Sequence, residues 1–289
     1  MLTWEETILS LRGKQEFNEI LFNSYLNDDP VGNVERFIES KEFQETLQMI
    51  RKFFPNAKKI LEIGSGTGMS AISLTLSGYE VTATDPDRSD VVGCEAITKL
   101  KLHYQLQNIQ IIQAPGESLP FENETFDLIY VRQALHHADN LFQFVKEACR
   151  VLKPKGGFLA IREHVIFNKR DKETFLQSHP LHGFYGQENA FRLEEYTEAI
   201  KGAGLKLDKV LRYFDSPINY FPLSNPDRRE MNHALNTKLN LICVEKFGPI
   251  GNSKLVQNLY RSINVLRFGA ADDERRIPGR MYSFIAHKN

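Results

Sequence analysis

The sequence predicts an α/β fold: a doubly wound, mostly parallel sheet with helices on both faces. Three observations carry that expectation. From Ala57 onward, short runs rich in Ile, Leu and Val alternate with segments of helical spacing, as strand–helix–strand units require. One of these runs, Ile60-Leu61-Glu62-Ile63, opens into Gly64-Ser65-Gly66-Thr67-Gly68 and then into a helical stretch. An acid, Asp85, stands at the end of the next apolar run, about twenty residues beyond Gly64.

Taken in order, residues 1–55 are amphipathic, with Phe17, Ile20 and Leu21, then Val34, Phe37 and Ile38, then Phe43, Leu47, Ile50 and Phe54 at helical spacing. Pro55 ends the last of these helices, because the residue before a proline avoids the helical region. This stretch reads either as a helical lobe packed on the core or as a lid over a pocket. The core follows over 56–213, with strands at 60–63, 80–84, 109–113, 126–131, 157–162 and 207–213. Helices fall between them at 69–76, 91–103, 141–151 and 193–203. The segment 178–186, rich in histidine, aromatics and glycine, reads as a surface loop or as a loop gating a substrate pocket. Residues 214–278 read as an insert, with Pro217, Pro222 and Pro226 as breakers and a helix over 256–267. The final strand spans 281–287, within a last core segment of 279–289.

The chain has 289 residues, 36 basic and 37 acidic, for a net charge of −1. So even a balance offers no electrostatic track for nucleic acid. The N-terminus lacks the build of a signal peptide, and no apolar run reaches the ~18 residues of a membrane helix. Cys94, Cys149 and Cys243, odd in number and scattered, suit reduced thiols. The expectation is a cytoplasmic protein with no membrane insertion. Oligomeric state is not legible.

The glycine turn is where ligand chemistry concentrates. Glycine supplies positive φ in a tight strand-to-helix turn and lets a ligand approach bare backbone. The helix beyond offers unpaired N–H groups and the positive end of its dipole. Asp85 is placed to accept hydrogen bonds from ribose hydroxyls; the alternative is that Asp85-Pro86-Asp87 is simply a turn.

Further blocks follow at ordered spacing: Leu119-Pro120-Phe121, Phe126-Asp127, Leu135-His136-His137 and Leu152-Lys153-Pro154-Lys155-Gly156-Gly157. With the E-x-G-x-G-x-G turn and the acid after the second strand, the chain resembles the class I S-adenosylmethionine-dependent methyltransferases, in the branch acting on quinones, sterols and other small molecules. The resemblance covers about residues 58–165. It implies a Rossmann-like methyltransferase fold of seven strands, the last antiparallel. It also implies a cofactor site in which Gly64, Ser65, Gly66 and Gly68 line the methionine and ribose portion. Glu62 would hold the amino-acid end, Asp85 the ribose, and Pro86 would lie beside the adenine. Where the family has an acid for the adenine amino group this chain has Pro115, so the Gly116 N–H or Glu117 is expected there instead; Arg132, at the fourth-strand tip, completes the set.

Methyl transfer needs alignment more than a fixed catalytic triad. By strand-tip position, His136, His137, Glu163, His164 and Tyr185 are the candidates on the acceptor side. The His136-His137-x-Asp139 cluster suggests a metal, but no further ligand pair stands nearby in sequence. His179 and His182 are separated by Pro180, which argues against one helical face. No metal is expected. Arg228, Arg229, Arg275, Arg276 and Arg280 read either as a solvated face or as a grip on an anionic substrate.

The expected function is therefore methyl transfer from S-adenosylmethionine to a small-molecule acceptor, without nucleic acid. Two alternatives stand beside it. An NAD-dependent dehydrogenase would also want the turn and the acid, but with G-x-G-x-x-G spacing. A non-catalytic S-adenosylmethionine-binding partner protein would tolerate Pro115.

Overall fold

The computed structural model describes residues 2–223, 225–268 and 274–289. Among the described residues, the sheet contains β1 (Lys59–Ile63), β2 (Glu80–Asp85), β3 (Ile109–Gln113), β4 (Phe126–Arg132), β5 (Leu152–Ile166), β6 (Phe191–Arg192), β7 (Leu205–Leu211) and β8 (Met281–Lys288). Their order is β3-β2-β1-β4-β5-β8-β7, with β6 attached to the far end of β5. The first five pair in parallel, and β8 runs antiparallel between β5 and β7. The seven expected strands thus form the main path, and the two-residue β6 is an addition to them.

The helices are α1 (Trp4–Leu11), α2 (Asn18–Asn23), α3 (Pro30–Glu39), α4 (Lys41–Phe53), α5 (Met69–Leu76), α6 (Cys94–His103) and α7 (Leu141–Val151), followed by α8 (Lys169–Ser178), α9 (His182–Tyr185), α10 (Leu193–Gly202), α11 (Pro217–Tyr220), α12 (Asn225–Phe247) and α13 (Lys254–Phe268). Successive strand residues serve opposite faces, because side chains alternate across a pleated strand. Ile60, Leu128, Leu159 and Ile161 pack with Phe37, Phe43, Ile50 and Ile72 of α3, α4 and α5. Leu61, Ile129, Val131 and Phe158 pack with Phe144, Val145, Tyr196 and Ala199 of α7 and α10. Burying each such side chain contributes about 1.5–3 kcal/mol, so the two faces hold the strand tips firmly in place.

The N-terminal stretch divides. Helices α3 and α4 belong to the sheet's own core, whereas Ile8, Leu11 and Leu21 of α1 and α2 join Val92 and Leu181 in a separate cluster. Leu2 N–H donates to Phe184 O at 3.4 Å, and the Trp4 and Tyr185 rings lie 5.1 Å apart.

Several elements depart from expectation. β5 runs to Ile166 rather than ending at 162, with register shifts against both neighbours. The segment read as a loop at 178–186 contains α9. Most of the insert is helical: α12 begins at Asn225-Pro226, and α11 begins on Pro217. Proline is tolerated in a first helical turn, where its missing N–H has no partner to lose. The insert's residues 224 and 269–273 lie outside the described residues. No helix among the described residues is long and apolar enough to cross a membrane.

Candidate active site

The β1–α5 turn is pinned from beneath and from the side. Gly64 and Ser65 N–H both donate to Thr84 O, at 2.8 and 2.9 Å, which draws the turn onto the tip of β2. Asp85 then reaches across: its Oδ2 accepts from Gly66 N–H at 2.7 Å and its Oδ1 from Asp87 N–H at 2.9 Å. Burial pushes this carboxyl up to about 6 against those two hydrogen bonds. The three glycines do different work. Gly66 (φ +53°) has open space where a Cβ would stand, on the wall of the cavity. At Gly64 a Cβ would lie 2.4 Å from Ala134 Cβ, so that glycine admits the β4 tip. Gly68, expected at the ligand, packs closely on α6, where a Cβ would run into Ile97 at 2.7 Å.

Glu62 is buried at the end of β1. Its Oε1 accepts from the Ser70 hydroxyl, and its Oε2 has no partner. Burial pushes this carboxyl up to about 8. A buried carboxyl with one idle oxygen on a cavity wall is a receptor for a cationic N–H group.

Around Asp85 a cavity of about 380 Å³ is lined by Pro86, Pro115, Gly116, Ala134 and Phe144, among others. Gly116 is needed for packing, since a Cβ there would meet the Phe144 ring at 2.2 Å. Glu117 also lines this cavity, yet its Oε1 is occupied by Asp139 N–H at 3.0 Å and Asn140 N–H at 3.4 Å, ahead of α7. Tyr185 lies on this side too, near Asp85 and Asp87, rather than with the acceptor-side group where it was expected.

A second constellation joins the tips of β4 and β5. Glu163 is fully buried and accepts from Ala134 N–H (3.3 Å) and His136 N–H (2.9 Å), while His136 Nδ1 lies 2.6 Å from its Oε2. Burial raises the carboxyl to about 7 and pushes the His136 imidazole well below its ordinary range. The N–H groups aimed at the carboxyl favour its ionised form, so Nδ1–H donates to it and His136 Nε2 keeps a lone pair. His164 Nδ1–H donates to Gly279 O at 3.0 Å, which leaves its Nε2 in the same state. Glu163 therefore positions the β4 turn and is not itself open to a ligand.

Arg132 lines the cavity, but its charge is spent: its guanidinium meets Glu42 of α4 at 2.6 and 3.1 Å. Arg162, also buried, stands 3.6 Å from the same carboxylate and donates to Phe221 O at 2.9 Å, while its Nε has no partner. Glu42, Arg162 and Glu188 went unnoticed as site residues in the sequence, since nothing local marks pairings over such separations, and His179 was set aside with His182 because Pro180 separates them. Arg280, grouped with the insert's cations, is a buried strut that binds Asp171 at 2.6 and 2.9 Å.

A profile of the Methyltransferase domain family matches residues 61–160, which span this turn, Asp85 and the β4 tip and end within β5. Residues 61–160 carry a methyltransferase domain. The YcgJ protein of Bacillus subtilis, an uncharacterised methyltransferase, is 31% identical over 140 residues, covering 47% of this chain and 54% of YcgJ. Phthiotriol/phenolphthiotriol dimycocerosates methyltransferase 1 of Mycobacterium ulcerans is 31% identical over 106 residues, 36% of each chain. The match thus spans about half the length of the first relative and about a third of the second. A putative sarcosine dimethylglycine methyltransferase from Galdieria sulphuraria shares the fold, with a TM-score of 0.54 at 17% identity over 91% of this chain and 90% of that one.

S-adenosylmethionine is the cofactor that goes with this methyltransferase domain. The residues fit it: the idle oxygen of Glu62 suits an α-ammonium group, and Asp85 keeps acceptor lone pairs for hydroxyls. The open face of Gly66 lies between them on the cavity wall.

Proposed function

We propose that this protein moves the methyl group of S-adenosylmethionine to a small-molecule acceptor. The observation that carries the reading is a further cavity of about 420 Å³ that shares Arg132, Gln133, His164 and His179 with the cavity at the glycine turn. A donor at Glu62 and Asp85 and an acceptor beyond Gln133 would then meet at a common wall, and alignment of this kind is the main contribution such an enzyme makes. Bound cofactor supplies an electrophilic methyl group on a leaving group that needs no acid.

The lining supports a particular kind of acceptor. Tyr213, Tyr220 and Phe221 give it flat apolar walls. Arg132 and Arg162 share the single Glu42 carboxylate, which leaves one positive charge in the wall unbalanced. A planar molecule with a phenolate or carboxylate answers both features. Where the acceptor enters as the neutral phenol, His164, on the shared wall with a lone pair on Nε2, is the group we assign to take its proton. Helix α1 and the 178–188 segment would act as the roof over the donor.

The test is release of S-adenosylhomocysteine from a panel of phenolic, carboxylic and amine acceptors. Acceptor-dependent release is expected, with His164→Ala lowering kcat by about 10²-fold while leaving S-adenosylhomocysteine affinity in place. Tight binding of S-adenosylhomocysteine with no product from any acceptor would make the protein a non-catalytic partner. Binding of NAD alone would overturn the reading.

A further inference from the structure

Four of the chain's eight histidines, His136, His137, His164 and His179, line the cavity at the glycine turn. Glu188 lines it as well. In sequence His136-His137 and His179 stand far apart, and Pro180 separates His179 from His182. The fold nonetheless brings the β4–α7 turn and the 179–188 segment against one another.

We propose that His136, His137 and Glu188 form a divalent-cation site of zinc type, with His179 placed to add a fourth ligand. One ligating atom from each of the three lies within 4.8 Å of the others. His137 Nε2 is 3.9 Å from Glu188 Oε2, and His179 Nδ1 is 3.9 Å from Glu188 Oε1. Those separations exceed hydrogen-bond length. Ligands held about 2.1 Å from a tetrahedral ion stand roughly 3.4 Å apart, so rotations of the His137 and Glu188 side chains draw the set onto one centre.

The surroundings of the rings favour the same reading. His136 Nδ1 is committed to the buried Glu163 carboxylate at 2.6 Å, and His137 Nδ1 faces Gln187 O at 3.4 Å. A metal-binding imidazole is held in this way, its second nitrogen paired with a carboxylate or a carbonyl so that the first keeps its lone pair for the ion. His179 Nδ1 is buried with no hydrogen bond. Packing alone explains neither a carboxylate held off from two imidazoles nor an imidazole nitrogen buried without a partner. Glu163 and Glu188 place two carboxyl groups beside the imidazoles, a donor set of the kind that holds a divalent ion. Imidazole with carboxylate suits zinc, cobalt or nickel rather than magnesium or calcium.

The site does not depend on the methyl-transfer reading, although an open position on such an ion would face the same cavity. The full chain, stripped with a chelator and dialysed, is titrated with zinc by calorimetry and with cobalt(II) by visible absorption. One ion per chain and cobalt bands of tetrahedral intensity are expected. His137→Ala and Glu188→Gln should each weaken zinc binding by at least about 10-fold, and Glu163→Gln should weaken it through His136. His287→Ala, at a surface pair with Asp208, should leave it unchanged. Zinc should also slow amide hydrogen exchange across 178–188. Zinc affinity unmoved by both His137→Ala and Glu188→Gln, or lost only in His287→Ala, overturns the site. Circular dichroism checks each variant, and the partly exposed His137 keeps the test decisive if a change at Glu188 unfolds the chain. S-adenosylhomocysteine binding by the wild type, with and without zinc, reports separately on the cofactor reading.

Discussion

The Asp85 carboxylate holds the glycine turn shut: its Oδ2 accepts the Gly66 N–H at 2.7 Å, a bond from the second strand tip to the loop of the first. Replacing Asp85 therefore removes a loop tie as well as a ribose acceptor. Asp85→Ala should cost S-adenosylhomocysteine affinity about 1.5–3 kcal/mol, roughly 10- to 100-fold by calorimetry. Asp85→Asn, which keeps one acceptor oxygen, should lose less. Affinity unchanged in Asp85→Ala would remove this residue from the ribose role.

Gly66 and Gly64 should fail in different ways. A Cβ on Gly66 meets open cavity, so Gly66→Ala should weaken cofactor binding at least about 10-fold, with a stability loss confined to the backbone strain of its φ of +53°. A Cβ on Gly64 meets Ala134 at 2.4 Å at a position with φ +75°, so Gly64→Ala should lower stability by about 1–3 kcal/mol. If both variants melt alike, the division of labour between these glycines is wrong.

The distinction between those glycines was not legible in the sequence, although much of their setting was. The helix over Met69–Leu76, the strand Ile109–Gln113 and the helix Leu141–Val151 match the structure residue for residue. Each is bounded by a glycine, a polar cap or a change of hydrophobic period. α12 was missed because Pro226, read as a stop, stands in the helix's first turn. The Glu42–Arg132 pair and the approach of Glu188 to His137 were invisible for a different reason: they join distant parts of the chain through tertiary contact, which no local pattern records. Glu163 and His164 were found because strand tips face ligands in parallel sheets; that rule does not show that one is an anchor behind the turn and the other lines the cavities.

Glu62 should leave a pH signature. Its carboxyl is raised to about 8 in the folded protein, against an ordinary value of 4.5. A raised acid holds its proton in the folded state while the unfolded chain releases it, so stability falls as pH climbs from about 4.5 toward 8. Glu62→Gln lacks that loss. Urea unfolding should find the variant more stable than wild type at pH 8, by on the order of 3 kcal/mol, and nearly equal at pH 4. Its cofactor affinity should fall at pH 8, where the wild-type carboxyl can meet the ammonium group as an anion. Equal pH slopes for variant and wild type would refute the assignment.

Glu42 stands between two buried guanidinium groups, Arg132 and Arg162. Glu42→Gln would leave both without a counter-charge, and should destabilise the fold by about 3–5 kcal/mol in chemical denaturation. An anionic acceptor should restore part of that stability by occupying the neighbouring cavity, seen as a rise in Tm with ligand concentration. No such rise with any phenolic or carboxylic ligand would argue against an anion in that cavity.

The contacts of Leu2 and Trp4 with Phe184 and Tyr185 join the start of the chain to its middle across the ligand cavity. Traffic in and out of that space then runs on the clock of those contacts. Association should saturate at high ligand concentration as opening, rather than diffusion, becomes the slow step. Product should be held until the apolar cluster of Ile8, Leu11, Val92 and Leu181 lets go. A chain shortened at its amino end would bind more loosely and release faster, trading residence time for turnover.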